Sequence, residues 1–340
     1  LEAFGFCGEG EGGDFVMNGT IEVGGKCPIT TDGGLMSFSH GGAQVQLLQR
    51  VIRAVQQVRG ECKTQQVPGV EIALVPPDAD GVVSAERMAG AALPGTRLAA
   101  LMLANNELGT LQPVAALAAA LRERGVPVLC DAVQAVGKIA VSVQALGVDY
   151  LTLAGHKFHG PLGAAALWIR GGAAFSPLLV GGAQERRRRA STVNVPAVVG
   201  FGAACAVAGR DLAERAAHLA RLRDRFEAGL AAIPGARVHC VSAPRLPHTS
   251  HVAFPGLVGQ ELMIRLDLAG FAVSTGAACG SGTVQASPTL QAMGMPYEEA
   301  IASLRVSFGL PNTEAEVDAL LPALAEAVAA LRMPATRVAT

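Results

Sequence analysis

The chain has 340 residues, 50% of them hydrophobic, and a formal net charge of -1 at pH 7. This length predicts at least two domains, and the composition is that of a packed α/β protein. The near-neutral charge gives no basis for binding nucleic acid or a membrane, and no apolar run reaches the ~18 residues of a membrane helix. Seven cysteines without CxxC spacing predict neither disulfides nor a metal site and favour a reducing, cytoplasmic location.

The first 67 residues are rich in glycine, and from Val67 onward strand-like and helical patterns alternate. Strands are predicted at 70–75, 97–103, 126–130, 149–154 and 164–169. Helices are predicted at 84–93 and 113–124. Strands separated by helices of this length indicate βαβ units and a mainly parallel sheet, which binds ligands at the carboxyl ends of its strands.

The last third of the chain mixes helices with short strands. Helices are predicted at 196–209, 212–233, 259–269 and 313–332. Strands are predicted at 237–241, 251–254, 271–273 and 304–308. This mixture is typical of a smaller α+β domain, so we place the domains at 1–67, 68–200 and 201–335.

Polar residues follow three of the predicted sheet strands. Asn106 follows one strand, Asp131 and Gln134 the next, and His156 and Lys157 another. A lysine held between two apolar segments loses solvent, which lowers its pKa and makes the amine nucleophilic, as Schiff-base chemistry requires. An aspartate at a strand end either caps a turn or faces a cation such as a pyridinium nitrogen.

Two residues of the last domain are also candidates for a role in catalysis or substrate binding. Cys279 lies in a loop of glycine, alanine and serine, where an exposed thiol can ionise and attack. By contrast, Cys130 and Cys205 fall in apolar runs and are predicted to be inert core residues. Arg305, on a predicted strand, offers the planar fork that binds a carboxylate.

Six segments carry a resemblance to a known family. They are ANNELGTLQP (104–113), CDAVQAVGKI (130–139), LTLAGHKFHGPLGAAALWIR (151–170), GGAQER (181–186), STGAACGSG (274–282) and LRVSFG (304–309). In this order they resemble the cysteine desulfurases and selenocysteine lyases, which are enzymes of the class V aminotransferase group that depend on pyridoxal 5'-phosphate (PLP). The resemblance implies the aminotransferase-like fold called fold type I.

The resemblance also assigns residues to the cofactor. Lys157 would hold PLP as a Schiff base, Asp131 would pair with the pyridine nitrogen, and Gln134 would contact the ring oxygen. His156 and Thr192 would bind the phosphate, with Thr192 reaching across the interface of a homodimer.

Other residues are assigned by resemblance to the substrate. Asn106, which would also lie against the cofactor, and Arg305 would bind the substrate carboxylate, while Lys157 would move the substrate proton. Cys279 would take the sulfur of L-cysteine as a persulfide and leave L-alanine, or release selenide from selenocysteine. An acceptor protein would then receive the sulfur or selenium.

The segment before Val67 instead resembles the C-terminal part of a lipid-transfer-type thiolase, with His40 at that family's active-site histidine. The desulfurase family has a phosphate-binding loop and a ring-stacking histidine in this place, yet no histidine lies between His40 and His156. Either the chain is a fusion or truncated product with an incomplete PLP site, or this segment completes the site differently. The sequence leaves three functions open: a cysteine desulfurase, a selenocysteine lyase, or an incomplete fusion with an acyl-binding segment.

Overall fold

The computed structural model describes residues 72–177, 181–275 and 286–333. Contacts within the chain divide it into two compact units, Leu1–Leu74 and Val75–Thr340. Nearly all of the described residues belong to the second unit, which carries two separate β-sheets. The helices and strands of this unit confirm the α/β class.

The first sheet has four strands in the order β1-β2-β3-β4. Its first three strands run parallel, and β4 pairs antiparallel with β3. The elements of this part are α1 (Ala85–Ala91), β1 (Ala99–Met102), α2 (Val114–Arg122), β2 (Val128–Asp131), α3 (Val143–Leu146), β3 (Tyr150–Ala154) and β4 (Ala165–Ile169).

Helix α2 shows why the sequence alternates between strand and helix here. It buries Val114, Leu117 and Leu121, which recur at helical spacing on one face, and these residues join the core of the first sheet. The strand predicted at 70–75 is wrong for its described part, because residues 72–75 form no strand. Ile72 and Leu74 are exposed there, and β-branched composition alone does not show whether a partner strand is present.

The second sheet has three antiparallel strands in the order β5-β6-β7. Its central strand β6 is buried along its whole length. The elements of this part are α4 (Gln184–Arg187), α5 (Val195–Gly209), α6 (Leu212–Gly229), β5 (Arg237–Val238), β6 (Thr249–Ala253), α7 (Gly259–Leu268), α8 (Pro288–Ala292), α9 (Tyr297–Ala300), β7 (Ser303–Ser307) and α10 (Glu314–Arg332).

The predicted strand at 271–273 is also wrong. The chain there only approaches β7, where Ser274 makes an isolated antiparallel bridge with Arg305. One bridge supplies too few ladder hydrogen bonds to define a strand, although it fixes where the chain passes. This bridge places the start of the glycine-rich loop next to the strand that carries Arg305.

Helix α5 is apolar on all sides, yet it is only partly covered. Val198 and Val199 are 49% and 66% exposed. Among the described residues no single helix is long and apolar enough to cross a membrane. One pair of helices meets the criteria of length and composition when the two are taken together, although the chain bends by 75° between them: Val195–Gly209 and Leu212–Ala232.

Candidate functional site

Lys157 lies on a tight turn directly after β3. The strand ends at Ala154, and Gly155–Phe158 forms one turn of 3₁₀-helix. The Gly155 amide donates to the Ala164 carbonyl oxygen at 2.9 Å, which ties the turn to the strand that follows it. A Cβ atom on Gly155 would lie 2.7 Å from a ring carbon of Phe201, so only glycine fits this close approach. The turn therefore holds Lys157 at the carboxyl end of the sheet, as predicted.

The surroundings of Lys157 are cationic. Burial lowers the pKa of Lys157, and the charge of Arg305 lowers it further. The Lys138 Nζ donates to the Lys157 main-chain oxygen. Burial, together with the charges of Lys157 and Arg215, lowers the pKa of Lys138 to about 8. Sequence reasoning missed Lys138, because a lysine after a glycine turn gives no sign of which backbone it will reach.

Asp131 lies beside β3, the strand that leads to Lys157. Asp131 is the last residue of β2 and stands in register with Thr152 of β3. Its Oδ1 accepts from the Val133 amide at 2.9 Å. Burial raises the pKa of the Asp131 carboxyl group, while Gln134 is half-buried in the following turn. The structure thus brings the predicted carboxylate to the strand beside Lys157.

His156 precedes the lysine in the same turn and is half-buried. Burial and then the charge of Lys157 lower the pKa of its ring. A histidine of this kind stays neutral at pH 7 and can donate or accept a hydrogen bond.

Asn106 and Arg305 come together from the two sheets. Asn106 lies just beyond β1, and Arg305 lies on β7. The Arg305 Nη1 donates to the Asn106 main-chain oxygen at 3.0 Å. Arg305 is also close enough to Lys157 to affect its pKa. The two residues predicted to bind a carboxylate therefore meet near the predicted cofactor lysine.

His248 borders this cationic region from the side of the second sheet, and its ring is neutral. Burial lowers its pKa to about 3, and the charges of Lys138, Arg305 and Arg223 contribute in the same direction. A region with this charge suits an anionic ligand such as a carboxylate or phosphate. Within the described residues, no group of three or more His, Cys, Asp or Glu side chains could hold a metal ion.

Some predicted residues are not part of this arrangement. Thr192 is exposed on the segment between α4 and α5 and takes no part in the contacts given above. His40 and Cys279 lie outside the described residues. Cys130 is buried as predicted, and burial raises its pKa to about 12. The prediction for Cys205 is wrong, because this side chain is exposed on α5, whose apolar surface is not fully covered.

Two family models match the chain. The model described as Aminotransferase class-V matches residues 61–320, and the one described as Thiolase C-terminal domain-like matches residues 1–88. The first match spans both sheets and every described candidate site residue. The second agrees with the predicted resemblance of the first segment to a thiolase.

Relatives and solved structures give the same result. The chain is 40% identical to cysteine desulfurase IscS of Methanosarcina thermophila over 80% of this chain and 67% of that protein. It is 44% identical to a cysteine desulfurase of Cereibacter sphaeroides over 78% of this chain and 68% of that protein. The solved structure of a NifS-like protein aligns with a TM-score of 0.70 at 37% identity, covering 77% of this chain and 69% of that one. DndA from Streptomyces lividans aligns with a TM-score of 0.62 at 29% identity, covering 76% and 72%. The chain therefore belongs to the cysteine desulfurase family of class-V aminotransferases.

Proposed function

We propose that this chain is a PLP-dependent cysteine desulfurase, which removes sulfur from L-cysteine and leaves L-alanine. The observation that carries the proposal is the Lys157 amine, held at the carboxyl end of β3 with its pKa lowered by burial and by Arg305. An amine needs a lowered pKa to be nucleophilic near neutral pH. The relatives named cysteine desulfurase support the choice of substrate.

The described residues fit one side of PLP. A buried carboxylate such as Asp131 is stabilised as an anion by a protonated ring nitrogen, and the Lys157 amine suits the aldehyde carbon. Gln134 would contact the ring oxygen, and His156 and Thr192 would contact the phosphate. When bound, PLP supplies an electron sink that makes the substrate Cα acidic.

The remaining residues would bind the substrate and transfer its Cα proton and its sulfur. Arg305 and Asn106 would hold the carboxylate of L-cysteine, and the Lys157 amine would accept and return the proton at Cα. Cys279 would attack the substrate sulfur, forming a sulfur–sulfur bond as the carbon–sulfur bond breaks. The resulting persulfide on Cys279 would pass its outer sulfur to an acceptor protein.

We propose that the protein works as a cytoplasmic homodimer. The exposed valines of α5 form an apolar surface that association would bury, and Thr192 lies just before this helix. The described cysteines, Cys130, Cys205 and Cys240, are all free thiols, which agrees with a reducing compartment. Sedimentation analysis at micromolar concentration tests the dimer, and a monomer there would refute it.

Product analysis of the purified protein tests the function. With PLP and L-cysteine we expect equal amounts of sulfide and L-alanine in the presence of a thiol reductant. Lys157→Ala should abolish both products, and Cys279→Ala should abolish sulfide. Release of selenide from L-selenocysteine without sulfide from L-cysteine would instead identify a selenocysteine lyase, and sulfide release unchanged in Cys279→Ala would refute the role of Cys279.

A further inference from the structure

Glu107 is a buried carboxylate that the proposed reaction does not use. The residue is 6% exposed. The Asn105 Oδ1 accepts from the amides of Glu107 and Leu108, both at 2.9 Å, which fixes the turn after β1. These two hydrogen bonds stabilise the turn from which the Glu107 side chain extends.

Both carboxylate oxygens bind residues that lie far away in the sequence. Oε2 accepts from the Ser287 hydroxyl at 2.6 Å, and Oε1 accepts from the Thr289 hydroxyl at 3.2 Å. The Ser287 hydroxyl also caps α8, since it accepts from the amides of Thr289 and Leu290. Glu107 therefore fastens the start of α8 to the turn that follows β1.

Arg305 acts on the same carboxylate. Burial raises the pKa of Glu107, and the two hydroxyl hydrogen bonds and the charge of Arg305 oppose that rise. At the same time the Arg305 Nη1 donates to the oxygen of Asn106, the residue just before Glu107. Arg305 is thus held by the backbone of the turn that Glu107 anchors, and the Glu107 charge acts on it from the same side.

We propose that Glu107 is a positioning residue that fixes the Arg305 guanidinium for binding a carboxylate. This inference rests on the proposed function only in taking Arg305 as the carboxylate-binding residue. Glu107 anchors the turn whose Asn106 oxygen accepts from the Arg305 guanidinium, and its negative charge also attracts that guanidinium. Because both oxygens of Glu107 are already hydrogen-bonded, its charge stays in one place.

Binding of two unreactive or weakly reactive probes tests the proposal. 3-Mercaptopropionate carries a carboxylate and a thiol, and 3-mercapto-1-propanol carries the thiol with an uncharged hydroxyl in place of the carboxylate. For Glu107→Gln, calorimetry should show about tenfold weaker binding of 3-mercaptopropionate, the usual scale for losing one charged interaction, and 3-mercapto-1-propanol binding within about twofold of the unmodified protein. Glu107→Asp, which keeps the charge, should recover part of the loss.

A half-buried carboxylate elsewhere in the unit provides the control. Glu227 forms an ion pair with Arg245, with a shortest distance of 2.7 Å, and makes none of the contacts described for Glu107. Glu227→Gln should lower the unfolding midpoint and leave the binding of both probes unchanged. The proposal is overturned if Glu107→Gln weakens the binding of both probes equally or leaves both affinities unchanged. It is also overturned if the unmodified protein binds the two probes with equal affinity. Sulfide release is measured separately, so a protein that shows the expected binding but forms no sulfide refutes the function and not this inference.

Discussion

The pKa of Lys157 is lowered first by burial and then by the charge of one residue from the other sheet. Burial alone lowers the pKa of an amine, and Arg305 adds to the effect because two nearby positive charges repel each other. The same arginine lies against the Asn106 oxygen. Arg305 therefore lowers the pKa of the Lys157 amine and is also the residue proposed to bind the substrate carboxylate.

Arg305→Met should raise the pKa of Lys157 toward its ordinary value. A smaller fraction of the amine is then neutral at pH 8, so PLP should attach to Lys157 several-fold more slowly. Borohydride trapping followed by peptide mass spectrometry, repeated between pH 7 and 10, measures this rate. Arg332→Met, at the end of α10, is the control and should leave the profile unchanged. An Arg305→Met profile that does not move to higher pH contradicts the prediction.

Two glycines show how closely the elements of this fold approach one another. Gly259 begins α7 against β7, and a Cβ added there would lie 2.3 Å from the Ser303 carbonyl oxygen. Gly90, inside α1, has no atom within 4 Å of the same position. The two residues look equivalent in the sequence, since both occur in helices.

Gly259→Ala and Gly90→Ala should therefore change stability in opposite directions. The backbone oxygen beside Gly259 cannot move without disturbing β7, so we expect a loss of about 1–3 kcal/mol. Alanine at position 90 only reduces the freedom of the unfolded chain and should add about 0.5–1 kcal/mol. Urea denaturation measures both changes. A stable Gly259→Ala protein would show that α7 does not pack as described.

The elements that the sequence predicts well are those with a strong local pattern. Strand β3 and the turn with Lys157 follow from an apolar run that stops at a glycine, and α10 follows from its apolar spacing and its threonine cap. The predicted strands at 70–75 and 271–273 fail because a strand exists only when a partner pairs with it. Lys138 and Glu107 escaped prediction for a related reason, since their partners lie 19 and 180 residues away.

At the scale of the whole molecule, buried histidines make the fold sensitive to acid. His239 and His251 stack with their Nδ1 atoms 2.8 Å apart, and His251 is fully buried. Burial lowers the pKa of His251 to about 3, and the charges of His239 and Arg305 add to this. His248 has a pKa of about 3 for similar reasons. Both rings are therefore neutral in the folded protein.

The free energy of unfolding should fall as the pH drops below about 6.5, the ordinary pKa of histidine, and continue to fall toward pH 3. In this range the unfolded chain binds protons that the folded protein excludes. His251→Asn removes one such group. The free energy of unfolding of this variant should therefore fall by about 1–3 kcal/mol less between pH 7 and pH 4.5 than that of the unmodified protein. Urea titrations at the two pH values measure the difference. His159→Asn, an exposed position, should behave like the unmodified protein, and an equal loss in all three proteins contradicts the prediction.

The affinity for PLP should depend on which of the cofactor contacts the chain as a whole can supply. In the proposed site the described residues would hold one side of PLP, and the sequence has no histidine between His40 and His156 to stack on the ring. Stacking and phosphate contacts contribute much of the affinity and orientation of a bound cofactor. We expect weaker PLP binding than in the relative from Cereibacter sphaeroides, measured by absorbance titration of both proteins. Equal affinity would contradict the prediction and show that PLP is held without a histidine in that range of the sequence.

The position of β7 in the chain determines when, during synthesis, the surroundings of Lys157 can form. The strands of the first sheet end at Ile169, whereas Arg305 is synthesised much later and reaches Lys157 only after β7 has paired with β6. Domains fold as they emerge from the ribosome, beginning at the N-terminus. A nascent chain that has formed the lysine turn thus still lacks the charge of Arg305, and its amine keeps a higher pKa. Assembly of the second sheet therefore lowers the pKa of Lys157 further, so this amine reaches its full nucleophilicity only after β7 has been made and has paired with β6.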